Sequence, residues 1–190
     1  MSTWILALGR ADERLLHALV GRRRKPLDYL MLGLTRLGDA PSAVLIAAVL
    51  LLLSQIGYAV PGREVVLSLA LSFLLSQIAK RTIHRPRPQL PPGFNFLEDP
   101  PDRFSFPSGH ATCALAIALP LALSMSLIPG TLVLALGLAV GVSRCYLGVH
   151  YPLDVAAGAV LGSAIGILYA LLATWILQRI QSRWAGSASA

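Results

Sequence analysis

From Ala40 to Gly62 the chain carries no charged residue. Wound as a helix, that run is about 34 Å long, enough to cross the hydrocarbon core of a bilayer. It is not alone. Val65 to Ala79 is uncharged between Glu64 and Lys80, and can cross if its polar ends snorkel or face protein. Ala111 to Val142 is uncharged too. Pro129-Gly130 divides it, a turn signal that predicts a hairpin of two helices. Val155 to Gln178 is the cleanest run. Charged residues make up 13% of the chain, against roughly 25% in a soluble domain. In lipid, backbone polar groups must be satisfied internally, which favours helices. The predicted fold class is all-α: a polytopic membrane helix bundle of about five transmembrane helices, near 40–59, 63–83, 107–127, 130–147 and 152–178.

Residues 1–38 read as a separate segment of two amphipathic interfacial helices. Leu15, Leu16, Leu19 and Val20 share one face. Pro26 can open the second helix, with Leu27, Leu30, Met31 and Leu34 as its stripe. Between them, Arg22 to Lys25 reads as a headgroup contact. Residues 39–180 form the transmembrane domain and 181–190 a polar tail. Trp4 to Leu8 is too short for the apolar core of a secretory signal. Gly158, Gly162 and Gly166 recur every four residues and predict a smooth face for close helix packing.

The net charge of +7 does not point to nucleic acid, because basic flanks are usual for membrane helices. Cys113 and Cys145 lie in apolar sequence with no CxxC or Cys/His cluster. They are expected to be buried free thiols rather than metal ligands or a disulfide.

Chemistry collects at the span ends, in Lys80 to Pro88 (KRTIHRPRP), Pro107 to His110 (PSGH) and Ser143 to Asp154 (SRCYLGVHYPLD). The first cluster closes span two and the second opens span three. The third joins spans four and five. Alternate crossings therefore bring all three to one side of the membrane. Lys80, Arg87 and Arg144 supply fixed positive charge, and arginine offers a planar fork for phosphate oxygens. Ser108 and Gly109 open a helix whose free amides favour an anion. His110 and His150 can divide nucleophilic attack and leaving-group protonation between them. Asp154, one helical turn beyond His150, can reach back to orient its imidazole. Arg81, His84, Arg85 and Arg103 read as flanking or loop charges. Phe94, Phe96, Phe104 and Phe106 read as an aromatic interface belt.

These clusters resemble the type 2 phosphatidic acid phosphatase superfamily, whose pattern is K-x6-R-P, P-S-G-H and S-R-x5-H-x3-D. Lys80, Arg87, Pro88, Pro107, Ser108, Gly109, His110, Ser143, Arg144, His150 and Asp154 match every fixed position. The resemblance implies a phosphatase of lipid phosphates or diphosphates, with His150 as nucleophile through a phosphohistidine. Asp154 would orient it, and His110 would be the general acid. Lys80, Arg87, Ser108, Gly109 and Arg144 would hold the phosphoryl oxygens. No metal or other cofactor, no nucleic acid and no protein partner is implied. The partners are the bilayer and a lipid phosphate. The small size resembles bacterial undecaprenyl diphosphate phosphatases of the plasma membrane, with phosphatidylglycerophosphate or phosphatidate phosphatase as the alternative. A non-catalytic anion or lipid transporter is the rival from another class. It would explain intramembrane arginines but not the His150–Asp154 spacing.

The resemblance places the site on the extracytoplasmic face. The positive-inside rule opposes this, since 13 of the 16 lysines and arginines fall on the site side of a five-span chain.

Overall fold

The computed structural model describes residues 3–100 and 102–187. Seven helices form: α1 (Thr3–Val20), α2 (Lys25–Arg36), α3 (Ala40–Gln55), α4 (Gly62–Ile83), α5 (Gly109–Leu123), α6 (Leu127–Tyr146) and α7 (Pro152–Ser187). Among the described residues, the only extended pairing is one antiparallel bridge between Pro86 and Phe104.

Helices α3 to α7 run alternately up and down. At one end the start of α3 meets the start of α5, where Asp39 Oδ1 lies 2.7 Å from His110 Nε2. At the other end, a Cβ added to Gly62 would stand 2.4 Å from the Leu50 carbonyl oxygen, so α4 starts where α3 ends. α5 is the central helix, packed against α4, α6 and α7, and residues 111 to 118 are all buried. Long aliphatic side chains on the outer faces of α3, α6 and α7, such as Leu52, Leu132 and Leu171, remain exposed. An apolar exterior of this kind is what lipid solvates.

The five expected spans fall on α3–α7, but not all five of these helices qualify as membrane crossings. Three helices, α4, α6 and α7, are each long and apolar enough to cross a membrane. α2 and α3 together make a fourth candidate, bent by 54°. α5 has only 15 residues, about 22 Å, because the prolines before it hold the chain in a loop. Gly109, at its start, sits beside Ser76, with 4.0 Å from the glycine's Cβ position to Ser76 Oγ. α4 continues past that level to Ile83, about 10 Å further.

The glycine row packs as expected. Added Cβ atoms at Gly158 and Gly162 would come within 2.5 Å of the Ser108 carbonyl oxygen and 2.2 Å of the Thr112 carbonyl oxygen. Only glycine allows α7 to touch the α5 backbone this closely. The α5–α6 hairpin departs from expectation. Its turn lies at Ser124–Ser126, and Pro129-Gly130 belongs to the first turn of α6. A proline there forfeits no intrahelical bond. Gly130 serves close approach instead, since its Cβ would meet the Ala122 carbonyl oxygen at 2.8 Å. α7 runs on to Ser187 through most of the expected polar tail, and residues 188–190 lie outside the described residues.

The N-terminal helices are amphipathic, and each divides its surface between protein and surroundings. Leu16 and Val20 of α1 are fully buried against Cys145. Leu27, Met31 and Leu32 of α2 pack on Tyr146, Leu147 and Val149. Leu15, Tyr29 and Leu30 stay exposed. The basic run splits likewise. Arg22, Arg24 and Lys25 are exposed. Arg23 turns inward, donating from Nε to the Tyr146 carbonyl at 3.0 Å and from Nη1 to the Asn95 carbonyl at 2.6 Å. It is therefore not a headgroup contact but a pin between the N-terminal segment and the bundle. Both cysteines are buried free thiols.

Candidate active site

A cavity of about 440 Å³ opens at the end of the bundle where α3, α5 and α7 begin and α4 and α6 finish. Lys80, Gly109, His110, Arg144 and His150 all line it. Alternation of the helices brings them there, as the positions of the three motifs required. Arg87 stands beside His150, and Asp154 lies behind it.

His150 is 1% exposed, between α6 and α7. Its Nε2 lies 2.9 Å from Arg87 Nη1. A guanidinium only donates, so Nε2 must be the unprotonated, accepting nitrogen. The proton of the neutral ring then sits on Nδ1, which has no hydrogen-bond partner and lies 3.7 Å from Asp154 Oδ2. That is an ion-pair separation rather than a hydrogen bond. Burial pushes the His150 pKa down to about 4; the charges of Arg87 and Arg144 add to this and Asp154 opposes it. Asp154 itself accepts from the Tyr151 amide at 3.0 Å and from Arg85 Nη1 at 2.6 Å.

Each cation of the cavity meets a carboxylate. Lys80 Nζ lies 2.5 Å from Asp102 Oδ2, and Arg87 Nη2 lies 2.8 Å from Asp102 Oδ1. Arg144 is fully buried and donates through Nη1 to Glu98 and, at 2.7 Å, to Thr35 Oγ1. Its Nε and Nη2 are buried without acceptors. Those two donors are unspent, and a bound anion would satisfy them. Burial alone would raise Asp102, but the hydrogen bond and charge of Lys80, with the charge of Arg87, hold it below the usual carboxylate range.

The start of α5 only partly follows expectation. Gly109 and His110 occupy the first helical positions, where amides lack an intrahelical acceptor. Ser108 is fully buried and does not line the cavity. Its amide is already donated to the Asp154 carbonyl at 2.9 Å, and its Oγ faces the Ala111 amide. The Ser108 amide is therefore unavailable to an anion, because the close α5–α7 packing consumes it.

Arg85 is a correction. It is no mere flanking charge: one guanidinium bridges Asp154 and Asp12, each at 2.6 Å, and lies over the Tyr151 ring. Its place inside the first motif was the available signal. Asp12, a lone acid on the buried face of α1, also accepts the Leu153 amide at 2.8 Å. Arg81, His84 and Arg103 are exposed, as flanking charges should be. Sequence reasoning also missed Thr35, Asp39, Glu98 and Asp102, which no local spacing connects to the motifs.

Beside the polar cavity runs an apolar one of about 540 Å³ between α3 and α4, lined by Ala43, Ala47, Leu51, Val66 and Leu69 among others. The two share Ala40, Phe73 and Cys113. A charged head and an apolar chain could thus occupy adjoining spaces.

A membrane bundle that gathers two imidazoles and several cations around one cavity fits an enzyme class, the integral-membrane phosphatases of lipid phosphates. Residues 61–179 match the PAP2 superfamily, and the chain belongs to it. It is 33% identical over 148 residues to an undecaprenyl-diphosphatase of Sulfolobus acidocaldarius, covering 75% of this chain and 68% of the relative. A decaprenylphosphoryl-5-phosphoribose phosphatase of Mycobacterium tuberculosis is 38% identical over 140 residues, with 72% and 75% covered. The crystal structure of a PAP2-type phosphatidylglycerolphosphate phosphatase from Bacillus subtilis superposes with a TM-score of 0.74 at 29% identity, covering 90% of this chain and 88% of that one.

Proposed function

We propose that this enzyme hydrolyses a polyprenyl phosphate or diphosphate, of which undecaprenyl diphosphate is the foremost candidate, through a phosphohistidine and without a metal ion. The observation that carries the chemistry is His150, whose accepting Nε2 is fixed by Arg87 in a cavity shared with His110 and Arg144. As Arg87 Nη1 turns from Nε2 to a phosphoryl oxygen, the freed Nε2 lone pair attacks phosphorus and forms the P–N bond. The P–O bond to the leaving group breaks, its electron pair departs with oxygen, and His110 supplies a proton. Asp154, 3.7 Å from Nδ1, supports the imidazolium that forms. Water then gives a proton to His110 and attacks phosphorus. The P–N electron pair returns to Nε2, and phosphate leaves. Arg144, Lys80, Arg87 and the first amides of α5 balance the growing charge on the phosphoryl oxygens, the task a metal performs elsewhere.

The polyprenyl preference draws on two relatives whose names specify such lipids. Phosphatidylglycerophosphate is the second reading, favoured by the fold match to a phosphatase of that lipid. The site faces away from the cytoplasm. The cations that weigh against this face are not all free to obey the positive-inside rule, because Arg23, Lys80, Arg85, Arg87 and Arg144 are each bonded to protein groups. Phosphate release by purified protein, measured across these lipids with excess EDTA present, tests the function. Activity that needs a divalent ion, or that survives in His150→Ala, refutes the mechanism. Fastest turnover of phosphatidylglycerophosphate refutes the polyprenyl assignment. A cysteine at exposed Arg103 checks the face: labelling by an impermeant thiol reagent only after cell lysis would place it inside.

A further inference from the structure

We infer that Asp39 is the positioning residue of His110, so that the corner between α2 and α3 is a working part of the active site. This inference rests on His110 being the general acid. The corner lies outside residues 61–179, the part matched to the superfamily.

Three contacts join it to the site. Asp39 Oδ1 lies 2.7 Å from His110 Nε2. Gly38 packs on the same ring: a Cβ there would stand 3.1 Å from His110 Cδ2 and 2.6 Å from Val140 Cγ1. Thr35 accepts from Arg144 at 2.7 Å. Asp39 is fixed from its far side by Arg36, whose Nη1 lies 3.2 Å from Oδ2 and also reaches Glu98. The imidazole is thus held by packing on one face and by a carboxylate at one nitrogen. Among the described residues no protein hydrogen bond engages its Nδ1.

An imidazole that acts as general acid must be a cation before it gives up its proton. An imidazolium bound through Nε2–H to Asp39 keeps its second proton on Nδ1, the nitrogen that has no protein partner. During P–O cleavage that proton passes from Nδ1 to the leaving oxygen. His110 becomes neutral with its remaining proton on Nε2, and Asp39 stays a carboxylate throughout. In the second half the proton from water returns to Nδ1. The site then contains two imidazole–carboxylate pairs with opposite duties: Asp154 supports a ring that gains charge on attack, and Asp39 supports one that starts charged.

The test exploits leaving-group chemistry. An alkoxide needs a proton to depart, whereas p-nitrophenolate does not. Wild type, His110→Ala, Asp39→Asn, Asp39→Glu and the double variant are compared on p-nitrophenyl phosphate and on the lipid monophosphate that wild type turns over fastest. All are full-length and are first checked for wild-type melting in detergent. In kcat/KM, which reports the steps through departure of the leaving group and not the later attack of water, Asp39→Asn is expected to lose roughly 10- to 100-fold on the lipid, below the ~10²–10⁴ of a general acid itself, and less than about threefold on the nitrophenyl ester. Asp39→Glu should recover part of the loss, and the double variant should be no slower than His110→Ala. Equal losses by Asp39→Asn on both substrates, or no loss on either, overturn the inference. A His110→Ala loss that ignores the leaving group overturns instead the general-acid reading beneath it.

Discussion

Asp12 offers a sharp test of how the N-terminal helix supports catalysis. Its side chain is 1% exposed and makes two contacts, with Arg85 Nη2 at 2.6 Å and the Leu153 amide at 2.8 Å. Asp12→Ala removes both. The charge-assisted bond is worth about 1.5–3 kcal/mol in a sheltered place. Arg85 is one-quarter exposed and keeps Asp154, so the lower part of that range applies. The Leu153 amide, at the first turn of α7, loses its acceptor at about 1–3 kcal/mol. Together the loss is about 2.5–5 kcal/mol, or a fall in melting temperature of roughly 5–20 °C for a chain of this size. Freed of one partner, Arg85 shifts on Asp154, and the loop holding His150 loosens. A kcat near one-tenth of wild type is expected at temperatures well below melting, with KM little changed. Thermal unfolding in detergent and steady-state phosphate release measure the two effects. An Asp12→Ala protein that melts and turns over like wild type would refute the coupling from α1 to His150 through Arg85.

Asp102→Asn removes the carboxylate that now occupies Lys80 and Arg87. Vanadate and substrate should then bind several-fold tighter, and a raised inhibition constant would show that Asp102 orders those cations rather than competing for them. The pH dependence follows from His150, whose pKa lies near 4 against 6.5 for the free side chain. The unfolded chain takes up this proton first as pH falls, so stability declines from about pH 6.5 to about 4 and then levels off. The nucleophile stays neutral across the same window. The acid limb of kcat/KM should therefore fall near pH 4, and an acid limb near 6.5 instead would show that His150 of the free enzyme is not held neutral.

The parts legible in sequence were those with a local rule behind them. Charge-free runs of fixed length mark helices, and helix alternation alone brings Lys80, His110, Arg144 and His150 to one end. The residues that escaped have no such rule. Asp39 and Asp12 reach His110 and Arg85 across more than seventy residues of chain, and Thr35 reaches Arg144 across more than a hundred. Only tertiary packing connects them. Arg85 was visible inside a motif, yet a basic residue at a span end has an ordinary explanation, and its pairing with two buried acids depends on where α1 docks. Pro129-Gly130 misled for a related reason. A dipeptide that commonly makes turns also suits the first turn of a helix that must lie close to its neighbour.

α5 begins beside Ser76, about two helical turns short of where α4 stops. Its histidine and its first amides consequently lie below the level at which α4 ends. A lipid standing in its own leaflet can present its ester there without rising out of the membrane. The reactant that has to travel is water, which must descend past Glu98, Asp99 and Asp102 to reach phosphorus.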